Sequence, residues 1–329
     1  MEDMLNIPSS ALVNEFLTKQ GREVIKKVMF GFTSADAVTK FADIDENLIL
    51  AHQKMVADLI YEYRGTTNFE RTDNALIVED VTLTTFDFKV ELRSELNERK
   101  TKAYKAYLKG AGLAADDLHF VEWLNMAAME KMKNEMEVAM WQAVTDTTVG
   151  NIGLRKLIAR FDGFRKIAKD AGVASKATVV ATGAITDANA VAKVHQFYRA
   201  ASTEMKNMGF NIYCSYNLFE SYQENYSATH GGRDSALAEV KRMQYSYQGI
   251  PITLGAGKTM LVPVPGFGDD DALIGTRPEY LAYGFNTEGE DANWKIQEQD
   301  WFTKMLTKFP VGVQILLKEP GFLLVNDQL

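Results

Sequence analysis

Apolar and polar residues alternate along this chain in two rhythms, and the steadier of them is helical. In "DLHFVEWLNMAAMEKMKNEMEVAMWQAV", Met126, Met129, Met132, Met136 and Met140 recur every three or four residues. On a helix this spacing confines them to an arc of roughly 120°. Asp117 precedes the run as an N-cap candidate, so the pattern predicts a helix over 118–144. Trp123 and Trp141 fall on a second line about five turns apart. A rod of about 38 Å results, about twice the ordinary helix length. Its methionine stripe is best used for packing, in a core or against a neighbouring subunit, rather than as a promiscuous groove.

The second rhythm has period two. It places Val81 and Leu83 on one face and, after a one-residue slip, Phe86, Phe88, Val90 and Leu92, which predicts a long strand with a bulge. The polar "RGTTNFERTDN" before it makes a projecting hairpin or extended loop the expectation. Earlier still, "ALVNEFLTKQG", "REVIKKVMFG" and "DENLILAHQKMVADLIYEYRG" read as helical pieces, each stopped by glycine.

Beyond the long helix come the basic amphipathic "GLRKLIARFDGFRKIAKDAG" and a second long helix ending at Gly209. Thr186 or Asp187 is its expected cap, with Val191, Val194, Phe197, Tyr198, Ala201 and Met205 facing inward. Then follow a strand "FNIYCS", a helix "NLFESYQENY" with Asn217 as cap, a loop "ATHGGR", a helical "DSALAEVKRM", and strands around "GIPITL", "MLVPV", "ALIG" and "YLAYGF". The closing "VGVQILLKEPGFLLVND" reads as two strands hinged at Pro320. Strands and helices mix without the regular repeat of a doubly wound sheet, so the fold class is α+β.

Composition adds exclusions. The chain has 329 residues, 46% hydrophobic and 24% charged, with net charge -8, which is globular usage without a basic nucleic-acid-reading surface. Cys214 is the single cysteine and sits in an apolar run, so a disulfide framework is excluded and a buried, inert thiol is expected. No apolar run is long enough to span a bilayer, and "MEDMLNIPSS" lacks a signal-peptide profile.

Candidate chemistry is thin. The fragment "GAGKT" resembles the end of a phosphate-binding loop, but Ile252 stands where the first glycine belongs, and Pro263 and Pro265 bar the helix that must follow. A turn between two strands is expected there. His52, His119, His195 and His230 show no metal-ligand spacing. Asp269, Asp270 and Asp271 lack the alternate spacing of a calcium loop and read as a solvated turn. Glu135 and Glu137 lie among lysines and read as surface ion pairs. No catalytic constellation emerges, so a non-enzyme without cofactor or metal is expected. Arms and a long helix are parts that gain burial from neighbouring copies.

The order of glycine-broken N-terminal helices, the strand "VTLTTFDFKVEL", the helix closing on "AMWQAV", and "YQGIPITL" followed by "ALIGTRPEYLAYGF" resembles that of tailed-phage major capsid proteins. Within them it looks most like capsid chains of phages infecting Bacteroidetes. The resemblance spans nearly the whole chain and implies the Hong Kong ninety-seven fold. Residues 1–57 would form an N-terminal arm and 58–95 an extended loop. Residues 96–178 and 300–329 would form a peripheral domain built on the spine helix, and 179–299 an axial domain.

It also implies a structural subunit that self-assembles into hexamers and pentamers of an icosahedral head enclosing double-stranded DNA. The implied partners are further copies of itself, a portal protein, separate scaffolding or decoration proteins, and DNA held without sequence specificity. Its implied place is the virion, after assembly in the host bacterial cytoplasm. Trp123, Met126, Met129, Met132, Met136, Met140 and Trp141 are the expected subunit-packing residues of the spine. Some members weld subunits through a Lys–Asn isopeptide bond. Here only Lys54 and Lys89 lie near the expected loop and Asn326 is almost C-terminal, so no weld is expected. The alternatives are an encapsulin-type compartment shell and an α/β enzyme with an unrecognised site.

Overall fold

The alternating segment that begins at Leu76 is two strands in two different sheets. β3 (Leu76–Thr84) and β4 (Phe86–Glu95) meet at Thr85, where the period-two pattern slips by one residue. β3 pairs antiparallel with β2 (Asn47–Met55), from Asn47↔Thr84 to Met55↔Leu76. β4 pairs antiparallel with β12 (Phe302–Ile315), from Phe86↔Val311 to Glu95↔Phe302. The crossing is close: a Cβ on Gly312 of β12 would lie 2.0 Å from the Thr84 carbonyl oxygen, so glycine is required for this backbone approach.

The computed structural model describes residues 28–29, 31, 33–44, 46–55, 76–95, 109, 117–146, 156–230, 250–252, 258–286, 295–299 and 302–329. The expected helix "ALVNEFLTKQG" and the helical "DSALAEVKRM" lie outside these residues.

One sheet has the order β1 (Thr39–Phe41), β10 (Leu281–Phe285), β12 and β11 (Lys295–Gln299), with β4 also on β12. β1 runs parallel to β10, and the other pairs are antiparallel. The second sheet has the order β5 (Thr178–Val180), β13 (Leu324–Asn326), β9 (Leu273–Thr276), β6 (Asn211–Cys214), β8 (Met260–Pro263) and β7 (Ile250–Pro251).

That second sheet carries a core on each face. From β6, Ile212 and Cys214 point into a cluster with Val194, Phe197, Met205, Leu218 and Tyr222, which come from α3 (Ala190–Arg199), α4 (Thr203–Met208) and α5 (Tyr216–His230). Tyr213, between them, points into the other core, shared with α1 (Asp117–Gln142) and α2 (Phe164–Val173). Strand alternation therefore serves two apolar layers at once, which explains why "FNIYCS" contains so little polarity.

Five local expectations are corrected. Residues 47–55, read as part of a helix, form β2. Leu48 and Leu50 pack beside Ile44, Leu83 and Ala282 while Ile49 stays 68% exposed, and cross-strand pairing overrides the helical propensity of this stretch. The single helix expected before Gly209 is α3 and α4, parted because Ser202 Oγ accepts the Met205 N–H at 3.1 Å and donates to the Gly321 carbonyl at 3.0 Å, which starts a new helix. Neither Thr186 nor Asp187 caps α3: Asn189 stands at its N-cap, and Asp187 instead accepts the Ser221 hydroxyl at 2.6 Å. The α5 N-terminus is capped by Ser215, whose Oγ accepts the Leu218 N–H at 3.2 Å, rather than by Asn217. Residues 228–230 continue α5 rather than looping.

Candidate functional site on the spine helix

The spine predicted over 118–144 is α1, a single 26-residue helix from Asp117 to Gln142. Met132, Met136, Met140 and Trp141 are all buried in the chain's own core. Met129 is half-buried against the same core, and Met126 is 45% exposed. The Trp123 side chain lies outside the described residues. The stripe thus passes from interior to surface along the helix.

The last turn of α1 gathers four remote segments. The Trp141 ring lies 5.2 Å from that of Phe164, 5.2 Å from Tyr213 and 5.4 Å from Phe267, centroid to centroid, a tilted aromatic cluster of the kind that adds to simple area burial. Its indole Nε1 donates to Ser34 Oγ at 2.9 Å. Ser34 N–H donates to Glu137 Oε2 at 2.9 Å, and the Ser34 hydroxyl is hydrogen-bonded to Glu137 Oε1. From a third direction, a Cβ on Gly266 would lie 2.0 Å from the Glu137 carbonyl oxygen, so the turn at Pro265–Phe267 rests directly on the helix backbone. Gln142 Nε2 donates to the Gly266 carbonyl at 2.8 Å. Arg165 donates to the Phe267 carbonyl at 2.6 Å and pairs with Asp270.

Two expectations about acidic residues change here. Glu137, read as a surface ion-pair member, is 6% exposed. Its position on α1 turns it toward Ser34, and burial, opposed by the hydrogen bonds from Ser34, raises its pKa above the ordinary carboxylate value. Glu135 does lie at the surface, 3.3 Å from Lys131. The acidic turn is also less solvated than expected: besides the Arg165–Asp270 pair, Asp271 accepts the Ile185 N–H at 3.1 Å. Nothing in the local pattern marks Ser34, because its partners lie 103 and 107 residues away.

Catalytic features are sparse among the described residues. Cys214 is buried, its Sγ 3.7 Å from the Val262 carbonyl oxygen, and burial pushes the thiol up. Lys258 is exposed and donates to the Asn207 carbonyl at 3.1 Å. Residues 253–257 of the "GAGKT" region lie outside the described residues, but the flanking β7 and β8 pair antiparallel through Ile250↔Leu261. A strand follows Lys258, not the helix a phosphate loop needs. A cleft of about 430 Å³ opens beside Thr82, Phe86, Asp162, Lys176 and Lys318. Among the described residues, no group of three or more His, Cys, Asp and Glu is arranged to hold a metal ion, and no helix is long and apolar enough to cross a membrane.

The fold has counterparts among solved structures. It is similar to a chain of the satellite phage P4 procapsid that includes the size determination protein, with a TM-score of 0.56 at 10% identity, over 97% of this chain and 96% of that one. It is similar to the capsid of the Myoviridae phage XM1, with a TM-score of 0.54 at 8% identity, over 89% and 90%. For the capsid of Ralstonia phage GP4 the TM-score is 0.50 at 10% identity, over 88% and 86%. No protein-family model and no curated protein matches the chain. The chain therefore has the mixed α+β fold of phage capsid proteins, the Hong Kong ninety-seven-like fold that the sequence resemblance implied.

Proposed function

We propose that this chain is the major capsid protein of a tailed phage, a structural and non-catalytic subunit. The observation that carries this reading is the extent of the fold likeness, which covers 97% of this chain and 96% of the procapsid chain. In this reading copies assemble into the hexamers and pentamers of an icosahedral head. Residues 1–57 form the arm, 58–95 the extended loop, 96–178 with 300–329 the peripheral domain, and 179–299 the axial domain. A portal protein and separate scaffolding or decoration proteins complete the particle, which encloses double-stranded DNA without sequence recognition.

The spine has two uses in this scheme. Its buried half, from Met132 to Trp141, holds the arm segment around Ser34 and the turn at Gly266 against one rigid rod. Its earlier half, which carries Trp123, Met126 and Met129, packs against a neighbouring subunit, with the 45% exposed Met126 as the open end of the stripe. The acidic balance of -8 suits a wall that must not bind phosphates tightly. Size-exclusion chromatography and negative-stain microscopy of the purified chain test the proposal. Rings, sheets or closed shells are expected, and a population confined to small oligomers overturns it.

A further inference from the structure

The outer strand of the five-stranded sheet carries a pattern that capping an edge does not require. Among the described residues, β4 is hydrogen-bonded on one side only, to β12. It is ten residues long, "FDFKVELRSE", without glycine or proline. Exposed edges of this length are usually shortened, bulged or studded with like charges to prevent pairing. Here the exposed positions instead alternate in sign: Asp87, Lys89, Glu91 and Arg93. The other face presents Phe86, Phe88, Val90 and Leu92, all half-buried against the core.

We propose that β4 pairs antiparallel with β4 of a second copy of this chain, about a two-fold axis at Val90. In that register Asp87 faces Arg93 of the other copy and Lys89 faces its Glu91, each pair occurring twice by symmetry. On the opposite face Phe88 meets Leu92 and Val90 meets Val90. Directly opposed unlike charges and apolar pairs are the units that stabilise an antiparallel sheet. Neighbouring registers fail on charge. Sliding by two residues one way sets Lys89 against Lys89 and Asp87 against Glu91, and sliding the other way sets Lys89 against Arg93 and Glu91 against Glu91. A one-residue slip sets charged against apolar faces, and an in-register parallel pair opposes every charge to itself.

Two ion pairs seen among the described residues do not resist this exchange. Lys89 and Glu91 sit 2.8 Å apart with side chains 64% and 56% exposed, and Lys308 lies 3.0 Å from Asp87 with exposures of 48% and 58%, so both are weak surface pairs. The pairing needs only two copies and goes beyond the capsid reading. In a shell it would lie on a two-fold contact.

The test uses the purified full chain. Val90→Cys should form a disulfide-linked dimer under mild oxidation, because opposed residues of an antiparallel pair lie within bridging distance, while the wild type, whose Cys214 is buried, should not. Lys89→Glu should raise the dimer dissociation constant about tenfold or more by placing glutamate against glutamate twice. Adding Glu91→Lys to Lys89→Glu should restore wild-type affinity. A Val90→Cys chain that folds and stays monomeric on a non-reducing gel overturns the proposal. So does a single variant that associates as well as the double, an outcome that decides the matter even if Val90→Cys misfolds. Shells that form while all these variants behave like wild type would sink the β4 contact and leave the capsid reading standing.

Discussion

Trp141 Nε1 donates to Ser34 Oγ across 2.9 Å, and through that hydroxyl the last turn of the spine is joined to a segment that precedes it by 107 residues. Ser34 also engages both carboxyl oxygens of Glu137. Three side chains thus settle one another's polar atoms inside an apolar core, where an unpartnered group costs more than the bond itself contributes. Ser34→Ala should therefore lower stability by about 1–3 kcal/mol, measured as a shift in the denaturant midpoint, although it removes only one oxygen.

The carboxyl in this group makes stability depend on pH. Burial raises the Glu137 pKa above its ordinary value of 4.5. Between 4.5 and the raised value the folded chain keeps a proton that the unfolded chain has released. The resulting contribution is complete below the unfolded value and is lost as pH rises through the folded one. Glu137→Gln offers an acceptor to the Ser34 N–H and a donor to its hydroxyl, so it should fold, and its melting temperature should change less over that interval than the wild type's. Parallel pH profiles for the two chains would show that Glu137 does not titrate differently on folding.

Gly266 is a steric requirement. A methyl there would lie 2.0 Å from the Glu137 carbonyl oxygen, and that oxygen belongs to a helix backbone already packed from other sides. Gly266→Ala should cost at least about 1–3 kcal/mol, the usual range for overpacking, whereas Asp269→Ala on the exposed side of the same loop should stay within about 0.5 kcal/mol. Equal melting temperatures for the two variants would mean that the turn can lift off the spine.

The spine was readable because its signal is local: methionines every three or four residues define a helix face whatever surrounds it. The slip at Thr85 was readable for the same reason, but as a bulge within one long strand; that its two halves join different sheets depends on their remote partners at 47–55 and 302–315. Residues 47–55 misled because Leu48 and Leu50 fit a strand only once the partner strand at 76–84 is known. Glu137 misled for a related reason. Its lysine neighbours in sequence describe the exposed side of the helix, while its actual partner, Ser34, lies 103 residues away. Side chains that meet only through tertiary packing leave no periodic trace.

Covalent welding of subunits is not expected. The Asn326 side chain is 2% exposed and fully occupied. Its Oδ1 accepts the Leu273 N–H at 2.8 Å, and its Nδ2 donates to Thr182 Oγ1 at 3.2 Å and to the Asp271 carbonyl at 2.7 Å. Attack by a lysine would have to strip all three bonds from a buried amide. Assembled particles boiled in denaturant should run as monomer on a gel. A ladder of covalent oligomers would overturn this and point to another asparagine.

Met132 tests whether the stripe is a packed face. It is 6% exposed and sits in the core with Met136 and Met140. Met132→Asp would place a carboxylate among apolar side chains without a partner, at a cost of several kcal/mol, and assembly should fail. Met132→Leu keeps volume and apolarity and should cost less than about 1.5 kcal/mol, with particles intact. Glu130, about 160° round the helix from Met132, is exposed, so Glu130→Asp should be tolerated. Particle yield in the microscope, measured alongside the circular dichroism of each purified chain, separates a folding defect from an assembly defect. Met132→Asp that assembles as well as wild type would show that water reaches the middle of the stripe, and the spine would no longer be the rod on which the Ser34 segment and the Gly266 turn are held.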